Sequence, residues 1–504
     1  KSSSGATAVA TMQSQPAMVP VADAAAPAVF TEAEPNNDPT TAGLLPFPVI
    51  VSGVIHSDTA DTDRDIYRFP AKQHHPVLLE IQAQRDKSPL DSHLEVLTSD
   101  GKPILRTQLQ AVRDSYFTFR GKDSDTSDDF RMFNWQEMDL NQYLYADGEV
   151  VRLWLYPRGP DSGFKVYPGF GKRYTWFDTT AASHALQAPA FIVEPRAPDA
   201  PITDNGLPVF PVYFENDDDP RREWGADSRL TFLPPHDGDY CVRVTDARGF
   251  QGNDFKYKLT IRSPRPDFQV SVAGTDISLN PGTGRELTFN AKRIDGYADA
   301  IAITAENLPP GFSLSDPVII EPEQEQAFGT LIAADDAVQP TDEQIAAVRF
   351  TASAAIGTES VSHECGTLKS LKLAGAAPIR VVIQSIDQTN INEGPIPELT
   401  VFAGETLRAW VRVDRKDFDG LVLFGKEDSG RNLPHGVIVD NIGLNGLMLL
   451  EGQSEREIFI TAARWVPETS RTFFLKSNVG GAITSHPVVL HVRQRSQIAE
   501  RQTP

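Results

Sequence analysis

Hydrophobic positions along this 504-residue chain recur at every second residue far more often than at helical spacing. The stretches "PVIVSGVI" (48–55), "DIYRF" (65–69), "VLLEIQAQ" (77–84) and "HLEVLTSDGKPI" (93–104) are short apolar runs. The last is closed by the turn pair Asp100-Gly101, and all four read as strands. Alternation returns in "SRLTFLPPHDGDYCVRVTDARGF" (228–250) and "DFKYKLTIR" (254–262). Tyr240, three residues after Asp237 at a strand start, is placed like the corner tyrosine of a β-sandwich. Only "TDEQIAAV" (341–348) suggests a helical turn in the second half of the chain. Residues 1–31, rich in Ala, Ser and Pro, read as a flexible linker, and 496–504 as a tail.

The pattern is interrupted between about 107 and 214. Thirteen Phe, Tyr and Trp residues fall between Phe130 and Phe177, about three times the density of the whole chain. This predicts an inserted unit with its own small core, entered through the acidic loop "KDSDTSDD" (122–129). After 266 the chain repeats itself. "ELTFNAKRIDG" (286–296) matches "TLRAWVRVDRK" (406–416), and "NLPPGFSL" (307–314) matches "NLPHGVIV" (432–439). "TLIAADD" (330–336) matches "IFITAAR" (458–464), and "FTASAAIGTESVSH" (350–363) matches "FLKSNVGGAITSH" (474–486). Four matches in one order are hard to obtain by chance, so two immunoglobulin-like sandwiches are expected, over 266–385 and 386–495.

Composition narrows the function. A net charge of -21 argues against nucleic acid and anionic membrane as partners. No apolar run approaches the roughly 20 residues of a membrane span. The two cysteines, Cys241 and Cys365, fall in different expected domains and read as buried hydrophobes rather than a disulfide. A first residue of Lys rather than Met suggests a processed or truncated chain whose signal peptide is gone.

Oxygen-bearing side chains cluster in "TEAEPNNDP" (31–39). Pro35 and Pro39 exclude a helix there, and extended backbone puts Glu32, Glu34 and Asn36 on one side. The second acidic strip is Asp61, Asp63 and Asp65 of "DTDRD". The strips repel each other unless a cation lies between them, or else both are charged strand edges that guard against pairing. The loops "ENDDDP" (215–220) and "DSDTSDD" (123–129) lack calcium-loop spacing and read as solvated charge runs. No zinc, phosphate-loop or nucleophile-elbow motif occurs, and no catalytic residue is assigned.

In order along the chain, "EAEPNND", "GVIHSDTADTDRDIYRF", "SPLDSHLEVLTSDGKPI", "ENDDD" and "DSRLTFLPPHDGDYCVRVTD" resemble the bacterial pre-peptidase C-terminal domain. This is a secreted jelly-roll family that includes the collagen-binding domains of clostridial collagenases. The likeness covers 32–106 and 215–262, and the 107–214 insertion departs from it. It implies a jelly-roll over 32–265 and a calcium site. In its calcium-binding members an E-x-E-x-N-[ND] segment supplies ligands, with aspartates some 25 residues on. Here those positions are Glu32, Glu34, Asn36 and Asn37, with Asp61, Asp63 and Asp65. It also implies a bacterial secreted, extracellular or cell-surface location, with the periplasm as the alternative.

The aromatic cluster allows two readings: a core for the inserted unit, or a platform that stacks on sugar rings or grips extended peptide. On the second reading Trp135, Trp154, Tyr156, Tyr174 and Trp176 are the ligand-binding residues. The expectation is therefore an all-β, non-enzymatic, calcium-stabilised module that binds or displays, contacting a polysaccharide or an extracellular protein, or its own kind. The alternatives are an accessory segment of a larger secreted hydrolase and a structural subunit of an extracellular assembly.

Overall fold

The computed structural model describes residues 26–57, 62–119, 126–158, 162–386, 396–440, 442–443 and 445–495. Asp61, the start of the acidic loop at 122–129, residues 1–25 of the expected linker and the 496–504 tail lie outside them. Strands dominate, and Asp342–Ala347 is the single α-helix among the described residues. A capping box starts it: Gln344 N–H donates to Thr341 Oγ1, and Thr341 N–H to the Gln344 side chain.

The first sandwich has eight strands in chain order: Val49–Val54, Asp65–Ala71, Val77–Gln82, Ser92–Thr98, Glu215–Asn216, Arg229–Phe232, Gly238–Asp246 and Lys256–Arg262. One sheet orders them first, eighth, third and sixth; the other second, seventh, fourth and fifth. That is a jelly roll. Alternation drives it, as in Val49–Val54, where every second residue is buried. Val51, Phe69, Leu79, Val96, Phe232, Val242 and Leu259 meet between the sheets. Tyr240 closes its corner by donating to the His236 carbonyl at 2.8 Å. The expected linker stops short, because Ala28–Thr31 pairs in parallel with Val49–Ser52 as an added edge strand. Its β-branched and aromatic residues suit a strand.

A seven-stranded sheet is built from segments between Leu105 and Tyr213. It leaves the jelly roll between the fourth and fifth strands, which are paired neighbours, so the detour leaves their ladder intact. Phe214 belongs to the jelly-roll core rather than to the inserted unit.

Two further sandwiches follow, and one sheet of each repeats the other strand for strand. Asp267–Ala273, Gly284–Ile294, Gln326–Ala333 and Phe312–Leu314 form one sheet, in that order. Ile379–Ser385, Thr406–Arg415, Glu455–Ala462 and Val437–Asp440 form its counterpart. The N-L-P-x-G loops adopt the same backbone, with Asn307 and Asn432 at φ 57° and 68° and Gly311 and Gly436 at 82° and 85°. The expected division at 385/386 is corrected, because Ile379–Ser385 pairs with Thr406–Arg415. Its alternating valines and isoleucines complete the second sandwich, not the first.

The sandwiches do not hang as separate beads. Arg229 and Arg262 of the jelly roll both bond Asp295. Arg152 and Lys172 of the inserted unit pair with Glu323 and Glu325. Glu286 of the third unit meets Arg431 and Lys476 of the fourth at 2.8 and 2.9 Å.

Candidate metal centre

Just beyond the added edge strand, the Glu32 N–H donates to the Ser52 carbonyl at 2.9 Å, and the Glu32 carboxylate accepts the Val54 N–H at 2.9 Å. The chain then turns inward. The Asn36 carbonyl accepts the Ile66 N–H at 3.0 Å, docking the loop beside the strand Asp65–Ala71. Tyr67 and Phe69 are buried in the core, yet Asp65 and Ile66 are buried too. Asp65 is therefore aimed into protein, not along a solvated edge.

One carboxylate oxygen each from Glu34, Asp63 and Asp65 lies within 4.8 Å of the others. Asp63 and Asp65 are 1% and 0% exposed. Each uses a single oxygen: Asp63 Oδ2 accepts the His56 N–H at 2.6 Å, and Asp65 Oδ2 accepts from the Tyr257 hydroxyl. Asp63 Oδ1 and Asp65 Oδ1 are buried without a hydrogen-bond partner, and so are both ends of the Asn36 carboxamide. Tyr257 in turn bonds Tyr67, hydroxyl to hydroxyl, at 2.7 Å, and the Asp63 N–H is held by Gln251 Oε1 at 2.8 Å.

Burial pushes the Asp65 carboxyl up to about 9, with the charges of Glu32 and Asp63 adding to it and the tyrosine bond opposing. Burial raises Glu32 as well, against its bond from Val54. Like charges this close and this dry need a proton or a cation to hold them. Three converging carboxylates, two of them with an unpartnered buried oxygen, are a hard-cation donor set, and oxygen-only ligation suits Ca²⁺. The residues present therefore fit calcium: Asp63, Asp65 and Glu34 as carboxylates, Asn36 as an amide oxygen, and Glu32 at the margin.

Asn37 does not join them. Its Oδ1 accepts the Arg64 N–H at 2.8 Å, locking the loop instead of facing the cluster. Asp61 lies outside the described residues. Tyr257 and Gln251, which seat Asp65 and Asp63, escaped sequence reasoning. Alternation in "KYKLTIR" does turn Tyr257 inward with Leu259 and Ile261, but nothing local says that it meets Asp65.

Of the two readings of the aromatic cluster, the platform on Trp135, Trp154, Tyr156, Tyr174 and Trp176 is the one corrected, and core filling is what the burial supports. Trp154, Tyr174 and Trp176 are buried, and Trp135 and Tyr156 pack half-buried against the inserted unit's core. The reason is that this sheet is covered on both faces. In Glu149–Leu155, Val151 and Leu153 enter one core and Val150 and Trp154 the other, so large rings are needed to fill both. The rings of this unit that do face solvent are Tyr116, Phe119, Phe133 and Phe170, with Tyr116 and Phe133 stacked at 4.7 Å. The acidic loops are likewise less solvated than expected. Asp219 is buried and accepts the N–H groups of Arg221, Glu223 and Trp224, while Asp128 holds Lys165 and the Gly171 N–H.

One serine, histidine and carboxylate line up: Ser470 Oγ lies 2.7 Å from His491 Nδ1, and Nε2 of the same ring 3.2 Å from Glu398. Arg493 reaches the same Nδ1 at 3.0 Å. The base is therefore already occupied by a guanidinium, and the three residues lie across neighbouring strands of one sheet.

No protein family matches the chain, and no curated protein does. Among solved structures, it is similar to the tandem immunoglobulin domains of titin at 12% identity, covering 46% of this chain and 98% of that one, with a TM-score of 0.14. It is also similar to surface layer protein SbsC, domains 4–9, at 11% identity, 70% and 47% coverage and a TM-score of 0.19. The fibronectin(III)-like modules of Clostridium thermocellum CbhA match at 12% identity, 47% and 99% coverage and 0.13. At these scores the fold class rests on the sheets themselves.

Proposed function

We propose that this chain is a non-catalytic surface or extracellular protein, stabilised by calcium, that binds or displays through a rigid array of β-sandwiches. The observation that carries this reading is the cluster of Glu34, Asp63 and Asp65, with an unpartnered buried oxygen on each aspartate and the unpartnered Asn36 carboxamide two residues from Glu34. Burying such groups unpartnered costs free energy, which a bound cation offsets. The ion pairs between sandwiches support the rigidity, since a display module benefits from fixed geometry. In this reading a polysaccharide or protein polymer is met by rings that face solvent, Tyr116, Phe119 and Phe133, and not by the buried tryptophans.

The test is thermal. A ligand that binds only the folded state adds about 2.7 kcal/mol at a hundredfold excess over its Kd, so millimolar calcium raises the melting temperature. Asp65→Asn removes the ionisable carboxyl while keeping the shape and the bond from Tyr257. It is expected to melt at or above wild type in chelator and to lose the calcium response. An equal rise in both proteins moves the site elsewhere.

A further inference from the structure

The duplicated N-L-P-x-G loop carries a solvent-facing Pro310 at its fourth position in the first copy and His435 in the second. The backbones match, with the Phe312 N–H on the Pro309 carbonyl at 3.0 Å and the Val437 N–H on the Pro434 carbonyl at 2.9 Å. The loop itself therefore does not demand a histidine. What differs is the surroundings, because His435 sits where three units meet. Its Nε2 lies 3.2 Å from Asn141 Oδ1 and 3.3 Å from the Tyr167 hydroxyl of the inserted unit. Its N–H donates to Glu321 of the first immunoglobulin-like sandwich at 2.9 Å. Its ring packs on Tyr167 and on Trp465 of its own sandwich, at 5.9 and 5.2 Å between centroids. Trp465 touches the cores of both the inserted unit and the last sandwich.

We propose that His435 makes this joint acid-sensitive, so that protonation of its imidazole releases the inserted unit from the two immunoglobulin-like sandwiches. In the neutral ring one N–H directed at the Asn141 oxygen is satisfied. That oxygen already accepts the Tyr167 hydroxyl at 2.8 Å. A second proton falls on Nδ1, for which no acceptor stands among the described residues. The charges facing the ring oppose it too. Burial lowers its basicity, and Arg152 of the inserted unit adds to that. The carboxylates that could offset a new cation are engaged, Glu323 with Arg152 and Glu321 with Arg471 of the last sandwich at 3.0 Å. Arg221, from the jelly-roll turn, also faces Glu323. His435 is half-buried, and the imidazolium is hydrated more fully, and freed of these opposing contacts, when the joint opens.

Hydrogen exchange of the full chain, corrected for intrinsic rates and followed from pH 7.5 to 4.5, reads this directly at 164–177 and 432–440. Wild type is expected to lose protection below about pH 6.5, by up to about tenfold per pH unit. His435→Gln, which keeps a donor but cannot be charged, is expected to hold its protection. Asn141→Asp, which offers the ring a counter-charge, is expected to move the loss to lower pH. Wild type protected down to pH 4.5, or His435→Gln losing protection with it, overturns the proposal. Should His435→Gln fail to fold, an unshifted acid response in Asn141→Asp overturns it equally.

Discussion

Gly53 shows how tightly the carboxylate cluster is seated. A Cβ on it would come within 2.4 Å of the Tyr257 ring and 2.6 Å of Glu32 Oε2, so a bare glycine is what lets both side chains cross the strand. Gly53→Ala should cost about 1–3 kcal/mol from overpacking and blunt the calcium response, because it displaces Glu32 and Tyr257 together. Tyr257→Phe removes the only hydroxyl donor to Asp65 Oδ2 seen among the described residues, with its bond to Tyr67. Stranding those buried groups should cost about 1–3 kcal/mol, read as a lower midpoint in urea. Both variants act on the same few ångströms, so their effects should not add.

At the level of elements, the inserted unit has its own cores, made of residues distinct from those of the jelly roll. Replacing 107–212 with a short Gly-Ser loop, while keeping Ile104 and Phe214 in place, should leave the jelly roll folded. Closing loops of different length differs by only roughly 0.6 kcal/mol per doubling. The product is expected to be less stable, since Asp178 of the inserted unit accepts from the Thr231 N–H and the side chain of Asn216 bonds its carbonyl. A molten circular-dichroism signature in place of cooperative unfolding would contradict the independence of the two cores. This level was partly legible in the sequence. Alternation shows the strands around Val51 and Phe69, and four ordered matches, N-L-P-x-G among them, show the duplication, because both are patterns in the sequence itself. The jelly-roll order was reachable only through resemblance, since its pairings join residues as far apart as Asp65 and Val244. For the same reason Asp63 and Asp65 could be picked from their spacing, while Tyr257, 192 positions from Asp65, could not. The aromatic residues leave two readings open in the sequence, because composition announces large rings but does not say that a sheet is covered on both faces.

Taken as a whole, the molecule is held by charged contacts between units that would otherwise be separate sandwiches. Arg471 is 3% exposed and bonds Glu321, the Asn432 side chain and the Ile319 carbonyl. Arg471→Met leaves Glu321, which is partly open to solvent, without that partner, and should cost about 1–3 kcal/mol. Its signature should be a larger radius in small-angle scattering, with the individual sandwiches still folded. Acid acts at the same place. Burial, with Arg152 adding to it, pushes the His435 imidazole down to about 3, below its unfolded value of about 6.5. The native state then binds fewer protons than the unfolded one between those values, so this contribution is fully present above pH 6.5 and declines as pH falls toward 3. Carboxylates titrate at the lower end of the same window, which is why the neutral His435→Gln variant has to accompany every acid measurement.

The central claim, that a buried oxygen cluster in a rigid β-protein exists to hold calcium, is tested most directly by calorimetric titration of the full chain with calcium. Wild type is expected to bind at one saturable site, and Asp65→Asn, folded and with an unchanged circular-dichroism spectrum, to give no heat beyond dilution. No saturable heat in wild type, or the same isotherm in the variant, would contradict it.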